Sequence, residues 1–220
     1  MTDDLFATAS ANSRWNEPLC DGAVVLHGFA LDHAASLLHT VDTVVAEAPF
    51  RHLTTPNGSR MSVGMTNAGS LGWVSDRHGY RYEPVDPLSG KPWPPMPLEF
   101  LQLAGSAASQ AGFADFVPDA CLINRYVRGA RLSLHQDRDE RDYQQPIVSV
   151  SLGIPAVFLF GGLRRADPAQ RVPLSHGDVV VWGGPARLRF HGVLPLKPDH
   201  HAGPGEYRIN LTFRRAGTAQ

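Results

Sequence analysis

Cysteine, lysine and long apolar runs are all scarce in this sequence. Its 220 residues include two cysteines, Cys20 and Cys121, which lie far apart and form no Cys-x-x-Cys pair. That spacing argues against a disulfide framework and against a zinc knuckle. No apolar run approaches the length of a membrane span. The acidic start Met1-Thr-Asp-Asp4 lacks the basic and apolar layout of a signal peptide. We therefore expect a cytoplasmic protein with no membrane partner.

Charge is balanced overall but uneven along the chain, whose net charge is −1. Residues 1–120 hold 6 Lys or Arg against 13 Asp or Glu, whereas residues 121–220 hold 14 against 8. A locally basic face can attract phosphate groups although the whole chain is near neutral. The same arginines could instead line a pocket or pair with neighbouring acids, so charge alone does not decide for a nucleic-acid partner.

The segment 207–214 has the alternation of a β-strand with two different faces. Successive side chains of a strand point to opposite sides. One row is apolar and requires a core: Tyr207, Ile209, Leu211 and Phe213. The other row is polar: Arg208, Asn210, Thr212 and Arg214. Two guanidinium groups beside an amide favour an anion between them, and a small di-acid suits the bidentate fork of arginine.

A candidate metal site precedes this strand. His135 and Asp137 alternate with Leu132 and Leu134 in a pattern typical of a half-buried strand end, which puts both on one face. We choose His191, in Leu188-Arg-Phe-His-Gly192, as the third ligand. Two imidazoles and one carboxylate on one side of an ion are the ligand set of non-haem Fe(II) oxygenases.

A second His-x-Asp pair, His176-Gly-Asp178, tests the specificity of this motif. Such pairs arise easily by chance in a chain with ten histidines. Gly-Asp is a turn dipeptide, and the apolar run Val179-Val-Val-Trp182 follows it, so we interpret the pair as a hairpin turn. His135 and Asp137 are preferred because a strand suited to an anion follows them.

The chain resembles the AlkB family of Fe(II)- and 2-oxoglutarate-dependent nucleic-acid dealkylases, especially its bacterial members. The resemblance extends from about Leu5 to Gly217. At the two candidate sites it is carried by Asn124-Arg-Tyr126, His135-x-Asp137, His191 and Arg208-x-Asn-x-Thr-x-Arg214. Elsewhere it is carried by Met65-Thr-Asn67, Leu71-Gly-Trp73, Gly79-Tyr80 and Val179-Val-Val-Trp-Gly-Gly184.

The resemblance implies an enzyme and a role for each matching residue. The Fe(II) ligands would be His135, Asp137 and His191. The 2-oxoglutarate ligands would be Asn124, Tyr126, Arg208, Asn210 and Arg214. The residues in contact with the substrate nucleotide would be Trp73, Tyr80, Asp139 and Arg165. The implied reaction is demethylation of N1-methyladenine and N3-methylcytosine in DNA, with RNA as the alternative. It would convert 2-oxoglutarate and O₂ to succinate and CO₂ and release formaldehyde. The implied partner is a single-stranded or flipped base, bound by a monomer.

The nucleotide-side residues each have a plainer interpretation. Trp73 lies in a polar loop that favours exposure, but a tryptophan is also common in a core. Asp139 could accept a hydrogen bond from an exocyclic amine, or be a solvated acid. Arg165, beside Arg164, could contact phosphate or end a hairpin.

The pattern of elements predicts a mainly β fold with flanking helices. The apolar spacing of Ala35, Leu38, Val41 and Val45 indicates one helix, with Asp32 as its N-cap. A second helix is predicted over 97–112. Strands are predicted at 120–126, 132–137, 146–153, 156–160, 178–183, 188–194 and 206–214. We expect a helix-backed jelly roll, the double-stranded β-helix.

We expect one domain over residues 1–220, because a chain of this length with 43% hydrophobic residues can form one sizeable core. Residues 1–115 would form an N-terminal extension with a nucleotide-recognition lid. Residues 116–217 would form the jelly-roll dioxygenase core. The proline-rich segment 84–97 is interpreted as a rigid surface loop.

Three classes of function remain open at this point: a nucleic-acid demethylase, a 2-oxoglutarate oxygenase acting on a protein or small molecule, and a non-enzymatic jelly-roll binder. The segment 65–82 separates the first two, since it carries the nucleotide-side resemblance. Binding of a metal and of the co-substrate would separate the non-enzymatic binder from the two enzymes.

Overall fold

The computed structural model describes residues 14–217, so the acidic start and the beginning of the resemblance at Leu5 lie outside it. Two α-helices are present in that range, α1 (Ala34–Glu47) and α2 (Leu98–Gln110). The strands are β1 (Trp15–Cys20), β2 (Ala23–His27), β3 (Gly64–Gly69), β4 (Gly72–Asp76), β5 (Gly79–Glu83), β6 (Ala120–Tyr126), β7 (Leu132–His135), β8 (Ile147–Gly153), β9 (Ala156–Phe160), β10 (Gln170–Leu174), β11 (Val179–Trp182), β12 (His191–Val193) and β13 (Arg208–Arg214).

The strands form two antiparallel sheets and a separate hairpin. The larger sheet has the order β1-β2-β11-β8-β13-β6-β3, and the smaller one the order β10-β9-β12-β7. Strands β4 and β5 pair only with each other, and we call them the lid hairpin. Two sheets with helices on the outer face of one of them make the predicted jelly roll, which is confirmed.

Two hydrophobic clusters hold these layers together. The helix-side cluster packs Leu37 and Phe100 of the helices against the apolar row of β13, which includes Ile209, Leu211 and Phe213. The predicted two-faced character of this strand is therefore confirmed on its apolar side. The intersheet cluster lies between the sheets and joins residues such as Tyr126, Phe158, Phe160, Val180 and Trp182.

The predicted start of the first helix is wrong. Asp32 lies in a short 3-10 turn, Leu31–His33, and pairs with Arg14. The N-cap of α1 is His33, which makes no side-chain capping bond. The second helix is shorter than predicted by a residue or two at each end, and Gly112 follows it with a φ of +89°.

The edge strands β1 and β10 were not predicted from the sequence, because each has a weak pattern. Most residues of β1 are exposed or half-buried, and β10 contains Pro173, which is tolerated in edge strands.

In the proline-rich segment Trp93 is buried against Val74, and Arg51 makes two hydrogen bonds to Asp86. Of the helices that the structure describes, none combines the length and the apolar character needed to cross a membrane.

Candidate metal and co-substrate site

The structure brings His135, Asp137 and His191 together at one end of the smaller sheet. His135 and His191 are direct cross-strand partners of β7 and β12. Asp137 follows β7, and one ligand atom from each of the three residues lies within 4.8 Å of the others. The Nε2 atoms of both histidines lie 3.7 Å from the same oxygen, Oδ1 of Asp137. The three donors therefore converge on one point.

Hydrogen bonds prepare both imidazoles for metal binding. Nδ1 of His135 lies 2.8 Å from the Ser133 carbonyl oxygen, and Nδ1 of His191 lies 3.1 Å from that of Arg189. A carbonyl oxygen only accepts, so each Nδ1 donates its proton there and each Nε2 is the nitrogen left to face a metal. Burial, and then the neighbouring His135, lower the pKa of His191 to about 3, so its imidazole is neutral at physiological pH. The donor set and its protonation state suit Fe(II).

Asp137 stays ionised although it is buried. Burial alone would raise its pKa, but the charge of Arg214 holds the pKa of Asp137 well below the ordinary value. Nη2 of Arg214 lies 2.7 Å from Oδ2 of Asp137, which leaves Oδ1 for the histidine side. Arg214 also lies 3.4 Å from the buried carboxylate of Glu140. One arginine of the polar row of β13 thus fixes a candidate iron ligand.

The predicted co-substrate residues line one face of the larger sheet. Strand β13 pairs with β6 in a register that opposes Arg208 to Tyr126 and Asn210 to Asn124. The side chains of this face are buried, namely those of Arg208, Arg214, Asn124 and Asn210. The Arg208 guanidinium lies 5.0 Å from the centre of the Tyr126 ring. The positive charges of the buried arginines in this row need a negatively charged partner.

Several polar atoms of this face are buried without a hydrogen-bond partner among residues 14–217. They are Nε and Nη1 of Arg208 and Oδ1 of Asn124. Burial lowers the pKa of Arg208, which means that its charge is poorly compensated in the free protein. The two unpaired nitrogens of Arg208 are donors and fit an anionic ligand that supplies the missing acceptors, whereas Oδ1 of Asn124 is an acceptor and needs a donor.

Two serines that were not predicted as site residues complete this face. The Ser151 hydroxyl lies 2.8 Å from Nη2 of Arg208, and the Ser149 hydroxyl lies 2.8 Å from Nδ2 of Asn210. Their signal was visible in Ile147-Val-Ser-Val-Ser-Leu152, where two serines share one face of an otherwise apolar strand. Strand β8 lies beside β13, so this face continues the polar row.

The lid hairpin places its aromatic residues beside the segment that follows Asp137. Trp73 is half-buried against the intersheet cluster, and its ring stacks on Tyr80 with centroids 5.6 Å apart. The indole N–H of Trp73 donates a hydrogen bond of 2.8 Å to Asp139. Three of the four predicted nucleotide-side residues are therefore brought together, with Trp73 in contact with both Tyr80 and Asp139.

Arg165 lies on the exposed loop between β9 and β10. Its guanidinium is 5.9 Å from the centre of the Phe190 ring, next to His191 in sequence. Its neighbour Arg164 pairs with Asp167. Arg165 is therefore in contact with the residue before His191, and it pairs with no acid that the structure records within residues 14–217.

The other His-x-Asp pair lies in a turn, as interpreted, but this turn joins the two sheets and is not that of a hairpin. Ser175 to Asp178 form the turn between β10 and β11, in which Gly177 has a φ of +85°. The Asp178 carboxylate accepts hydrogen bonds from the backbone N–H groups of Gly28 and Ser175. His176 accepts one from Gly153 N–H. This pair does not converge with a third metal ligand in the described part of the chain.

Comparisons with known proteins find relatives of this chain in sequence and in fold. Residues 22–214 match the family model of the 2OG-Fe(II) oxygenase superfamily. The alpha-ketoglutarate-dependent dioxygenase AlkB of Salmonella typhimurium is 59% identical over 97% of both chains. The protein of that name from Escherichia coli is 56% identical over 97% of this chain and 98% of its own. The solved structure of OsALKBH1 superposes with a TM-score of 0.80 at 29% identity, over 91% of this chain and 99% of that one.

The family match, together with a mainly β fold that carries a cluster of two histidines and a carboxylate, defines the class of this protein. It is a dioxygenase that depends on Fe(II), 2-oxoglutarate and O₂. Within that class the chain belongs to the AlkB family.

Proposed function

We propose that this enzyme removes methyl groups from N1-methyladenine and N3-methylcytosine in DNA, with RNA as the alternative substrate, and so reverses alkylation damage. The observation that carries the proposal is the combination of three elements: the convergent cluster, the unpaired buried nitrogens of Arg208 on the strand whose Arg214 binds Asp137, and an aromatic hairpin that bonds to Asp139. In support, a human relative named nucleic acid dioxygenase ALKBH1 is 32% identical over 59% of this chain and 33% of its own length.

In this proposal His135, Asp137 and His191 hold Fe(II). Together with 2-oxoglutarate and O₂, the iron supplies the oxidation that hydroxylates the N-methyl group, after which formaldehyde leaves and the normal base remains. The protein holds His191 neutral and Asp137 ionised. Cleavage of the C–N bond needs no acid–base residue of the protein, because the hydroxylated methyl group is unstable on its own.

We assign the 2-oxoglutarate site to the polar faces of β6 and β13. The unpaired nitrogens of Arg208 would receive the carboxylate far from the iron, with Tyr126 and Asn210 beside it. Arg214, which already holds Asp137, and Asn124 would line the iron end. A di-acid bound in this way supplies the acceptors that the free protein lacks.

The lid hairpin would receive the methylated base. A base must leave the stack to reach a buried iron, and aromatic faces can hold it. Trp73 and the His135 ring, which is about 39% exposed, are the two faces that we assign to it. Asp139 would accept from the exocyclic amine once it releases the Trp73 indole. The cytoplasm suits this proposal, since Cys20 and Cys121 are both free thiols.

Formaldehyde release tests the proposal directly. The purified enzyme with Fe(II) should release formaldehyde from an oligonucleotide containing N1-methyladenine, and only when 2-oxoglutarate is present. An unmethylated oligonucleotide of the same sequence is the control. Turnover of 2-oxoglutarate that no methylated DNA or RNA accelerates would favour an oxygenase of proteins or small molecules instead.

We expect Trp73→Ala to impair demethylation selectively. Stacking on an aromatic side chain contributes about 1–3 kcal/mol per base, so the oligonucleotide KM should rise by about tenfold or more. Consumption of 2-oxoglutarate without substrate should persist, because the metal cluster lies on other strands. Trp15→Ala is the matched control, since Trp15 lies on the edge strand β1 and stacks on His27. Repair at the parental rate would make the hairpin a structural element.

We expect Arg165→Ala to weaken binding equally for all sequences. Loss of one phosphate contact lowers the slope of log affinity against log salt by about one. The neighbouring variant Arg164→Ala should change this slope less, because Arg164 is already paired with Asp167. Fluorescence titration of a labelled oligonucleotide at several salt concentrations measures both. Equal slopes in the parent and Arg165→Ala would remove Arg165 from the interface.

A further inference from the structure

The paired residues Trp73 and Tyr82 of the lid hairpin contact consecutive acids of the segment that carries Asp137. Trp73 and Tyr82 are direct cross-strand partners of β4 and β5. Trp73 donates to Asp139, and the Tyr82 hydroxyl donates to Oε1 of Glu140 at 2.7 Å. The hairpin is therefore joined to the metal-site segment at two neighbouring points.

The two contacts differ in their surroundings. The Trp73–Asp139 bond is exposed, so water or a base can replace it. The Glu140 side chain is only 2% exposed. Its carboxylate also pairs with Arg187 at 3.1 Å and with Arg214 at 3.4 Å. The Tyr82–Glu140 hydrogen bond ends on this buried carboxylate with several partners, so it is harder to break than the exposed Trp73–Asp139 bond.

Glu140 thus belongs to one buried network with the candidate iron and co-substrate residues. Arg214 contacts both Glu140 and Asp137. Arg187 contacts Glu140 and donates to the backbone carbonyl of Asp137 at 3.0 Å. Tyr82 is the member of this network that comes from the hairpin. No strand of either sheet pairs with the hairpin in the described residues, so side-chain contacts fix its position. Asn67 bonds to the backbone of Trp73 and Trp93 to the carbonyl of Glu83, while Tyr82 makes the buried contact to the metal-site segment.

We propose that Tyr82 and Glu140 are positioning residues that anchor the lid hairpin to the metal site, while the Trp73–Asp139 contact opens to admit the base. The anchor sets where Trp73 lies relative to the iron, and hence whether oxidation reaches the methyl group. This inference rests on the proposed function for its substrate, but the anchor itself is a property of the free protein.

Tyr82→Phe removes the hydroxyl and keeps the ring, so it tests the anchor with little change in packing. Backbone hydrogen exchange in residues 72–83 should become about tenfold faster, because a bond to a charged acceptor is lost. Exchange in β13 and the affinity for 2-oxoglutarate should stay unchanged. The yield of formaldehyde per succinate should fall several-fold. The matched control Tyr207→Phe, at a ring packed on the helix-side cluster, should change none of these.

Three results would overturn the anchor: unchanged exchange in the hairpin, a rise of equal size in β13, or a local rise with the parental yield of formaldehyde per succinate. The first shows that the bond does not hold the hairpin, and the second that it supports the whole fold. The third shows that hairpin position does not govern the reaction. Failure of the parent enzyme to release formaldehyde would refute the proposed function instead, and the exchange measurements would still decide whether Tyr82 anchors the hairpin.

Discussion

Replacement of His135, Asp137 or His191 should abolish Fe(II) binding and turnover while the fold survives. We expect His135→Ala, Asp137→Asn and His191→Ala each to weaken metal affinity by more than about 100-fold, because loss of a residue that merely orients a ligand already costs 10–100-fold. Asparagine is preferred at position 137 because its amide oxygen can still accept from Arg214, whose other acidic partner, Glu140, lies 3.4 Å away. Anaerobic calorimetry with Fe(II), or with Mn(II) as a redox-stable probe, measures the affinity.

His176→Ala is the matched control for this series, since His176 belongs to the other His-x-Asp pair and bonds to Gly153 N–H. It should bind metal like the parent, and circular dichroism should show that every variant is folded. If the single variants Asp137→Asn and His191→Ala each bound metal with the affinity of the parent, the cluster would have no role in the mechanism.

Loss of Arg208 should have opposite effects on ligand binding and on stability. Arg208→Met should weaken 2-oxoglutarate binding by about 2–3 kcal/mol, which is roughly 30–150-fold, because a charge-assisted pair in a buried site is lost. The free protein should unfold at the same temperature or a higher one, since two donors of Arg208 are unsatisfied and replacing a poorly compensated buried charge by an apolar group is often stabilising. Calorimetry and thermal unfolding measure the two quantities.

Arg214→Met provides the contrast within the same strand. Arg214 pairs with Asp137 and Glu140, so its loss should lower both 2-oxoglutarate affinity and stability. Parental 2-oxoglutarate affinity in both variants would refute the assignment of this face to the co-substrate. A large loss of stability in Arg208→Met would instead mark that residue as part of the structural core.

The strands around the site were predictable because their patterns are local. The alternation of β13 gave its two faces, and the structure places Ile209, Leu211 and Phe213 in the helix-side cluster. The run Val179-Val-Val-Trp182 forms β11 as predicted. Edge strands such as β10 escaped prediction because one face of an edge strand can remain exposed and tolerate proline.

Contacts between distant segments could not be predicted from local patterns. Nothing near Glu140 in the sequence indicates that it meets Tyr82, Arg187 and Arg214, since that meeting depends on sheet order and register. For the same reason the pairing of Arg14 with Asp32, which accompanies the short turn before α1, was not foreseen. The role of each site residue as a ligand remains a prediction that the variants above test.

The measurement that tests the central claim most directly is the parallel count of succinate and formaldehyde from one reaction. The enzyme is supplied with Fe(II), 2-oxoglutarate, O₂ and an oligonucleotide with a single N1-methyladenine. We predict equal amounts of the two products, and repaired adenine in the same amount, with Arg208→Met and Asp137→Asn inactive at the same co-substrate concentration. Succinate without formaldehyde, from an oligonucleotide that keeps its methyl group, would contradict the account.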